Sequence, residues 1–143
     1  MNEDQIKKIT YEIIGSAFEV RKHLGRFLKE HTYEAALAQE LRLRGLNVQR
    51  QVPVKITYKG IVIEEEKFID ILVENSIVLE LKAISDMGNA EVSQLMTYMC
   101  FGSYNLGYLI NFKSEDFTVG RYHGDGLLEK GIYRFVYSRE LLE

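Results

Sequence analysis

Apolar residues recur near the helical period over residues 4–23, where Ile6, Ile9, Ile13, Ile14, Ala17, Phe18 and Val20 predict an amphipathic helix closed by Gly25. Tyr33, Ala36, Leu37 and Leu41 predict a second helix over 30–44, stopped by Gly45. The period then changes to 2. Val48, Arg50, Val52, Val54, Ile56 and Tyr58 alternate with mostly polar residues, which predicts a half-exposed strand, and Pro53 within it favours the edge of a sheet. Lys59-Gly60 marks a turn. Residues 61–73 predict the next strand, with a break or twist at Glu64-Glu65-Glu66, and residues 77–83 a third. Val92, Leu95, Met96, Met99 and Cys100 predict a helix over 90–102 that ends at Gly102. Leu106 to Phe112, Phe117 to His123 and Ile132 to Tyr137 predict further strands. The order helix, helix, three strands, helix, strands predicts an α/β fold built on a mixed sheet, with residues 1–143 as a single domain.

Composition narrows the functional classes. The 143 residues are 46% hydrophobic, enough for a real core. No apolar run approaches the roughly 18 residues that a membrane span needs, and the polar start Met1-Asn2-Glu3-Asp4-Gln5 lacks the core of a signal peptide. Cys100 is the single cysteine, so no internal disulfide forms, and a cytoplasmic location is expected. A net charge of −3 argues against non-specific coating of nucleic acid. It leaves room for a nuclease, because acidic metal ligands lower the net charge and a bound cation inverts the local sign.

The informative anomaly lies in the second and third strands. Phe68-Ile69-Asp70-Ile71-Leu72-Val73 and Ile77-Val78-Leu79-Glu80-Leu81-Lys82-Ala83 read as strands buried on both faces, yet they carry Asp70, Glu80 and Lys82. Charges are seldom buried unless they are paired or bind a metal. Alternation places Glu80 and Lys82 on one face with Val78, and sends Ile77, Leu79, Leu81 and Ala83 into the main core. Asp70 joins Glu80 only if the hairpin has an odd register: the loop Glu74-Asn75-Ser76 pairs Val73 with Ile77 and so Asp70 with Glu80, whereas a two-residue loop sends Asp70 to the opposite face. Two carboxylates placed side by side repel, and Mg²⁺ or Mn²⁺ between them relieves that repulsion. A structural ion pair of Glu80 with Lys82 or Lys67 on an exposed sheet face is the competing reading.

Glu34 borders the apolar stripe of the second helix, where it either leans over the sheet toward a metal or stays solvated. Gln94 and Tyr98 lie four apart on one face of the third helix, positioned to orient a water or contact a phosphate. His23, His31 and His123 are scattered without ligand spacing. Cys100 reads as core, Gly124-Asp125-Gly126 as a turn, Glu64-Glu65-Glu66-Lys67 as a solvated turn or edge, and Tyr98, Phe101, Tyr104 and Tyr108 as packing aromatics before base-stacking ones.

The sequence of a helix with Glu34, a strand with Asp70, a strand with Glu80-Leu81-Lys82 and a helix with Gln94-x-x-x-Tyr98 resembles the PD-(D/E)XK nuclease superfamily, and more narrowly the GxxExxY proteins within it. The likeness runs from about Ile13 to Phe112 and includes Gly25, Glu30, Tyr33-Glu34, Arg44-Gly45-Leu46, Gln51-Val52-Pro53-Val54, Tyr58-Lys59-Gly60, Thr97-Tyr98 and Leu109-Ile110-Asn111-Phe112. Phe27 stands where the naming motif begins with glycine, so the turn before the second helix departs from the pattern. The resemblance implies a restriction-endonuclease-like core and a Mg²⁺- or Mn²⁺-dependent nuclease; it does not imply the substrate, for which the expected nucleic acid is DNA. It implies Asp70, Glu80, the Leu81 carbonyl and Glu34 around the metal, catalytic roles for Asp70, Glu80, Lys82, Glu34 and Gln94, and substrate contacts from Gln94 and Tyr98. The alternative is a catalytically silent nuclease fold that acts as a binding or assembly module, through a homo-oligomer or a protein partner. No membrane association is expected.

Overall fold

A computed structural model describes residues 1–138; the side chains of residues 64–66, and with them the expectation of a solvated Glu64-Glu65-Glu66 turn, lie outside the described set. Among the described residues, three helices, α1 (Glu3–Leu24), α2 (Glu30–Leu43) and α3 (Asn89–Gly102), pack on a six-stranded mixed sheet of β1 (Val48–Tyr58), β2 (Ile61–Val73), β3 (Ile77–Lys82), β4 (Leu106–Asn111), β5 (Asp116–Gly120) and β6 (Lys130–Val136). The spatial order is β1-β2-β3-β4-β6-β5. β1, β2 and β3 form an antiparallel meander, β3 and β4 run parallel, β6 returns antiparallel to β4, and β5 lies parallel to β6. The parallel step from β3 to β4 needs a crossover, and α3 supplies it.

The two faces of the sheet hold two cores. Ile13, Ala17 and Val20 of α1 and Tyr33, Leu37, Ala38 and Leu41 of α2 pack on Ile77, Leu79, Leu81, Tyr108 and Ile110. Val92, Leu95, Tyr98 and Met99 of α3 pack on Leu72, Val78, Leu109, Tyr133 and Phe135. On α3 the buried stripe includes Tyr98, while Met96 and Cys100 lie at its half-buried border. Gly107 on β4 makes the close approach of α3 possible: a Cβ there would lie 2.8 Å from Met99 Sδ and 3.0 Å from Leu95 Cδ1.

Local chemistry fixes the ends that matter for the site. Asn2 and Gln5 cap α1 reciprocally, each side chain accepting the other's backbone N–H at 2.8–2.9 Å. Gly25 ends α1 at φ +75°. The left-handed position in the turn before α2 is therefore Gly25, and Phe27 poses no backbone obstacle there. Phe27 is exposed under the Arg26 guanidinium, 4.7 Å from its ring centre. Tyr33 then anchors α2: its hydroxyl donates to Gly25 O at 2.6 Å, and its ring stacks on Phe112 at 4.4 Å.

Pro53 does lie on an edge strand, as expected from its missing donor. β2 stays a strand through residues 64–66, yet its pairing with β1 is irregular there: two residues of β1, Val54 to Ile56, span three of β2, Lys67 to Glu64, and the next step, Ile56 to Thr57, spans two, Glu64 to Val62, so both extra residues lie on β2 beside the expected break. Leu79 lies on β3 with no exposed surface, between the helices and the sheet. Leu79→Ala is expected to lower the unfolding free energy by about 2–5 kcal/mol, read as a lower urea midpoint with an unchanged slope.

Candidate active site

The β2–β3 hairpin has the odd register. Glu74 and Asn75 both adopt positive φ, +51° and +53°, and the Ser76 N–H closes the turn on Val73 O. Val73 therefore pairs with Ile77, Leu72 with Val78 and Ile71 with Leu79. Beyond Ile71 and Leu79 the two strands separate, and the side chains take over from the ladder. Asp70 Oδ2 accepts the Leu81 N–H at 2.9 Å, and Glu80 Oε1 accepts the Asp70 N–H at 3.2 Å. Two backbone donors that a continuous ladder would satisfy are met by carboxylate oxygens. Asp70 and Glu80 thus meet in the opening between β2 and β3. Glu80 is 3% exposed, so the reading of it as half of a surface ion pair fails on burial.

The irregularity is shared by β1. Arg50 pairs with Ile71 and Val52 with Ile69, which sets Gln51 across from Asp70. Gln51 adopts φ +53°, a left-handed conformation that costs a non-glycine residue on the order of 1–2 kcal/mol. Both strands change face at this point. Val48, Ile71 and Val73 pack on the α1–α2 side, whereas Val52, Val54 and Ile69 pack on the α3 side. In an unbroken strand Ile69 and Ile71 would share a face. The break turns the hairpin over and opens the sheet at Asp70 toward both layers of helices.

Glu34 enters from the α2 side, 6% exposed. Arg50 Nε and Nη2 each lie 2.9 Å from its Oε2, and Gln51 Nε2 donates to its Oε1 at 2.6 Å. The same Gln51 amide reaches Asp70 Oδ1 at 3.3 Å. Lys82, Gln94 and Tyr98 occupy the α3 side. Lys82 Nζ donates to Gln94 Oε1 at 2.6 Å, and Gln94 Nε2 donates to Tyr98 Oη at 3.1 Å. The i, i+4 spacing of Gln94 and Tyr98 makes this chain continuous along one face of α3.

Burial, reinforced by the neighbouring acids, drives the electrostatics. Asp70 is pushed up to about 6 by desolvation and by the Glu34 charge, against the Leu81 N–H and the Gln51 amide, which favour its anion. Glu80 is pushed up to about 8 by desolvation and by Asp70, with the Asp70 N–H and Lys82 opposing. The Tyr98 hydroxyl, raised to about 12 by burial and by both carboxylates, stays neutral at physiological pH. Carboxyl groups that are costly to ionise side by side gain from a hard divalent cation, which favours their charged form and prefers oxygen donors. Among the described residues, no three His, Cys, Asp or Glu side chains converge as a ready-made metal cluster. Asp70 and Glu80 fit an ion of the Mg²⁺ type, which binds through one or two carboxylates and completes its shell with water and phosphate oxygens.

Sequence reasoning gave a site role to every residue of this cluster except Arg50 and Gln51. Their signal was Arg50, a charged residue in the inward phase of an alternating strand; nothing in the pattern marked Gln51 as left-handed.

A mixed sheet with two carboxylates and a lysine at a break between neighbouring strands, flanked by helices on both faces, defines a restriction-endonuclease-like α/β fold. A family model of the PD-(D/E)XK nuclease superfamily matches residues 7–122, and the chain belongs to that superfamily. Comparison with the curated proteins and with the solved structures gave no match.

The raised acids make stability depend on pH. Each binds its proton more tightly in the folded chain than in the unfolded one, where the reference values are 3.8 for Asp70 and 4.5 for Glu80. This contribution is full below about pH 4 and is lost as pH rises through about 6 and then about 8. In the presence of a chelator, the melting temperature is expected to fall between about pH 5 and pH 8, and Glu80→Gln to flatten that fall. A wild-type melting temperature that rises across this window would contradict the burial of both carboxyls.

Proposed function

We propose that this chain is a Mg²⁺- or Mn²⁺-dependent nuclease that hydrolyses phosphodiester bonds in DNA, working in the cytoplasm as a single domain of residues 1–143 and belonging to the GxxExxY group of the superfamily. The observation that carries this reading is the meeting of Asp70, Glu80 and the Lys82–Gln94 pair at one opening in the sheet. The GxxExxY assignment is supported by Glu30, by Tyr33 and by a turn whose left-handed residue is Gly25, which leaves position 27 free to be phenylalanine. Among the described residues, no helix is long and apolar enough to cross a membrane.

Asp70 and Glu80, with the Leu81 carbonyl, would hold the cation, and Glu34 would complete or tune the shell from the α2 side. A bound divalent cation supplies a water of lowered pKa and charge neutralisation at the phosphoryl oxygen. Lys82, held in place by Gln94, orients the attacking water or stabilises charge on the transition-state oxygens. Gln94 and Tyr98 are the substrate-facing pair. They line a cleft of about 340 Å³ with Lys67, Ser93 and Thr97, and Gln94 is the residue that also accepts from Lys82. One cation and several hydroxyls along that wall suit contact with a phosphate backbone.

The second reading is a nuclease fold retained as a binding or assembly module, through a second copy or a protein partner. It is favoured by Glu34, whose two oxygens already bond Arg50 and Gln51.

Incubation of plasmid and single-stranded DNA with Mg²⁺ or Mn²⁺ separates the two readings. The wild type is expected to cleave, and Glu80→Ala and Lys82→Ala each to lower the rate by about a hundredfold or more. Mn²⁺ is expected to raise the melting temperature of the wild type, and Asp70→Asn to abolish the rise. Cleavage unchanged by both alanine substitutions removes these residues from the mechanism. A wild type that neither cleaves nor gains stability from the cation favours the silent module.

A further inference from the structure

Arg50 and Gln51 are consecutive residues of one strand, yet both bond the Glu34 carboxylate. Regular pleating sends neighbouring side chains to opposite faces. The left-handed backbone at Gln51 is what brings the two together, and it brings the Gln51 amide on to Asp70 Oδ1 as well. The arrangement has a direction. Arg50 occupies Oε2 of Glu34, and Gln51 occupies Oε1 and then spans the gap to Asp70. Both oxygens of the buried glutamate are thereby engaged by β1, and its hydrogen-bonded link to Asp70 passes through one amide nitrogen.

We infer that Gln51 is a positioning residue of the cation site: its amide ties Glu34 to Asp70, so that Glu34 orients Asp70 through Gln51 rather than ligating the cation itself. This rests on the reading of Asp70 and Glu80 as cation ligands. A backbone conformation that residues other than glycine rarely adopt persists where the surroundings hold it, and here two carboxylates, Glu34 and Asp70, hold the one Gln51 amide nitrogen. Groups that orient metal ligands by hydrogen bonding change metal affinity by roughly 10–100-fold when removed.

The experiment is a Mn²⁺ titration followed by calorimetry and by the shift in melting temperature, on the wild type, Gln51→Gly, Glu34→Gln and the double variant. Glycine accepts φ +53° without strain, so Gln51→Gly removes the amide while keeping the backbone path. Gln51→Asn, one methylene shorter and tolerant of that φ, is the second variant. Both are expected to weaken Mn²⁺ binding about tenfold or more, with the metal-free melting temperature held within a few degrees. Glu34→Gln is expected to weaken binding in the wild type and to add almost nothing in the Gln51→Gly background, because the coupling runs through the missing amide. Wild-type affinity in Gln51→Gly and Gln51→Asn, or strictly additive effects in the double variant, overturns the inference while leaving the cation site standing. A wild type that binds no Mn²⁺ overturns the inference and the nuclease reading together.

Discussion

The structure turns on two carboxylates that stand in for backbone hydrogen bonds. Where β2 and β3 separate, the N–H groups of Asp70 and Leu81 find their partners in Glu80 Oε1 and Asp70 Oδ2. Buried donors must be satisfied, so these bonds hold the two acids in place as firmly as a ladder holds a strand. Burial then works against their ionisation, and each acid raises the other. The fold thus keeps two carboxyl groups together where it is costly to charge them. This conflict between local electrostatics and overall packing is what a functional site is expected to display.

Everything adjacent serves that opening. The face change at Gln51 and Asp70 lets one hairpin contribute Val48, Ile71 and Val73 to the core under α1 and α2, and Val52, Val54 and Ile69 to the core under α3. Each helical layer therefore has access to the same point. α2 brings Glu34 to Gln51 and Arg50, and α3 brings Gln94 and Tyr98 to Lys82. The close approach of α3 at Gly107 and the anchoring of α2 through Tyr33 set the distances at which those side chains arrive. Membership of the PD-(D/E)XK nuclease superfamily agrees with this layout, in which short-range sheet geometry presents the acids and the helices supply the polar partners.

What can be read from the residues alone divides along a physical line. The elements follow from periodicity, because burying one face of a helix or strand imposes a 3.6 or a 2 repeat on the chain; α1, α2, α3 and the β1–β2–β3 meander lie within a residue or so of the expected spans. Loop length likewise set the odd hairpin register, because a three-residue connection leaves Val73 opposite Ile77. Asp70, Glu80 and Lys82 were conspicuous because charges interrupt runs that otherwise read as fully buried. Only the folded chain decided that the ladder would stop at Ile71, that Gln51 would turn left-handed, and that Glu34 would be claimed by β1. Those outcomes depend on contacts between residues 16 to 19 positions apart and on the twist of a hairpin between two layers, and no local repeat in the sequence encodes them.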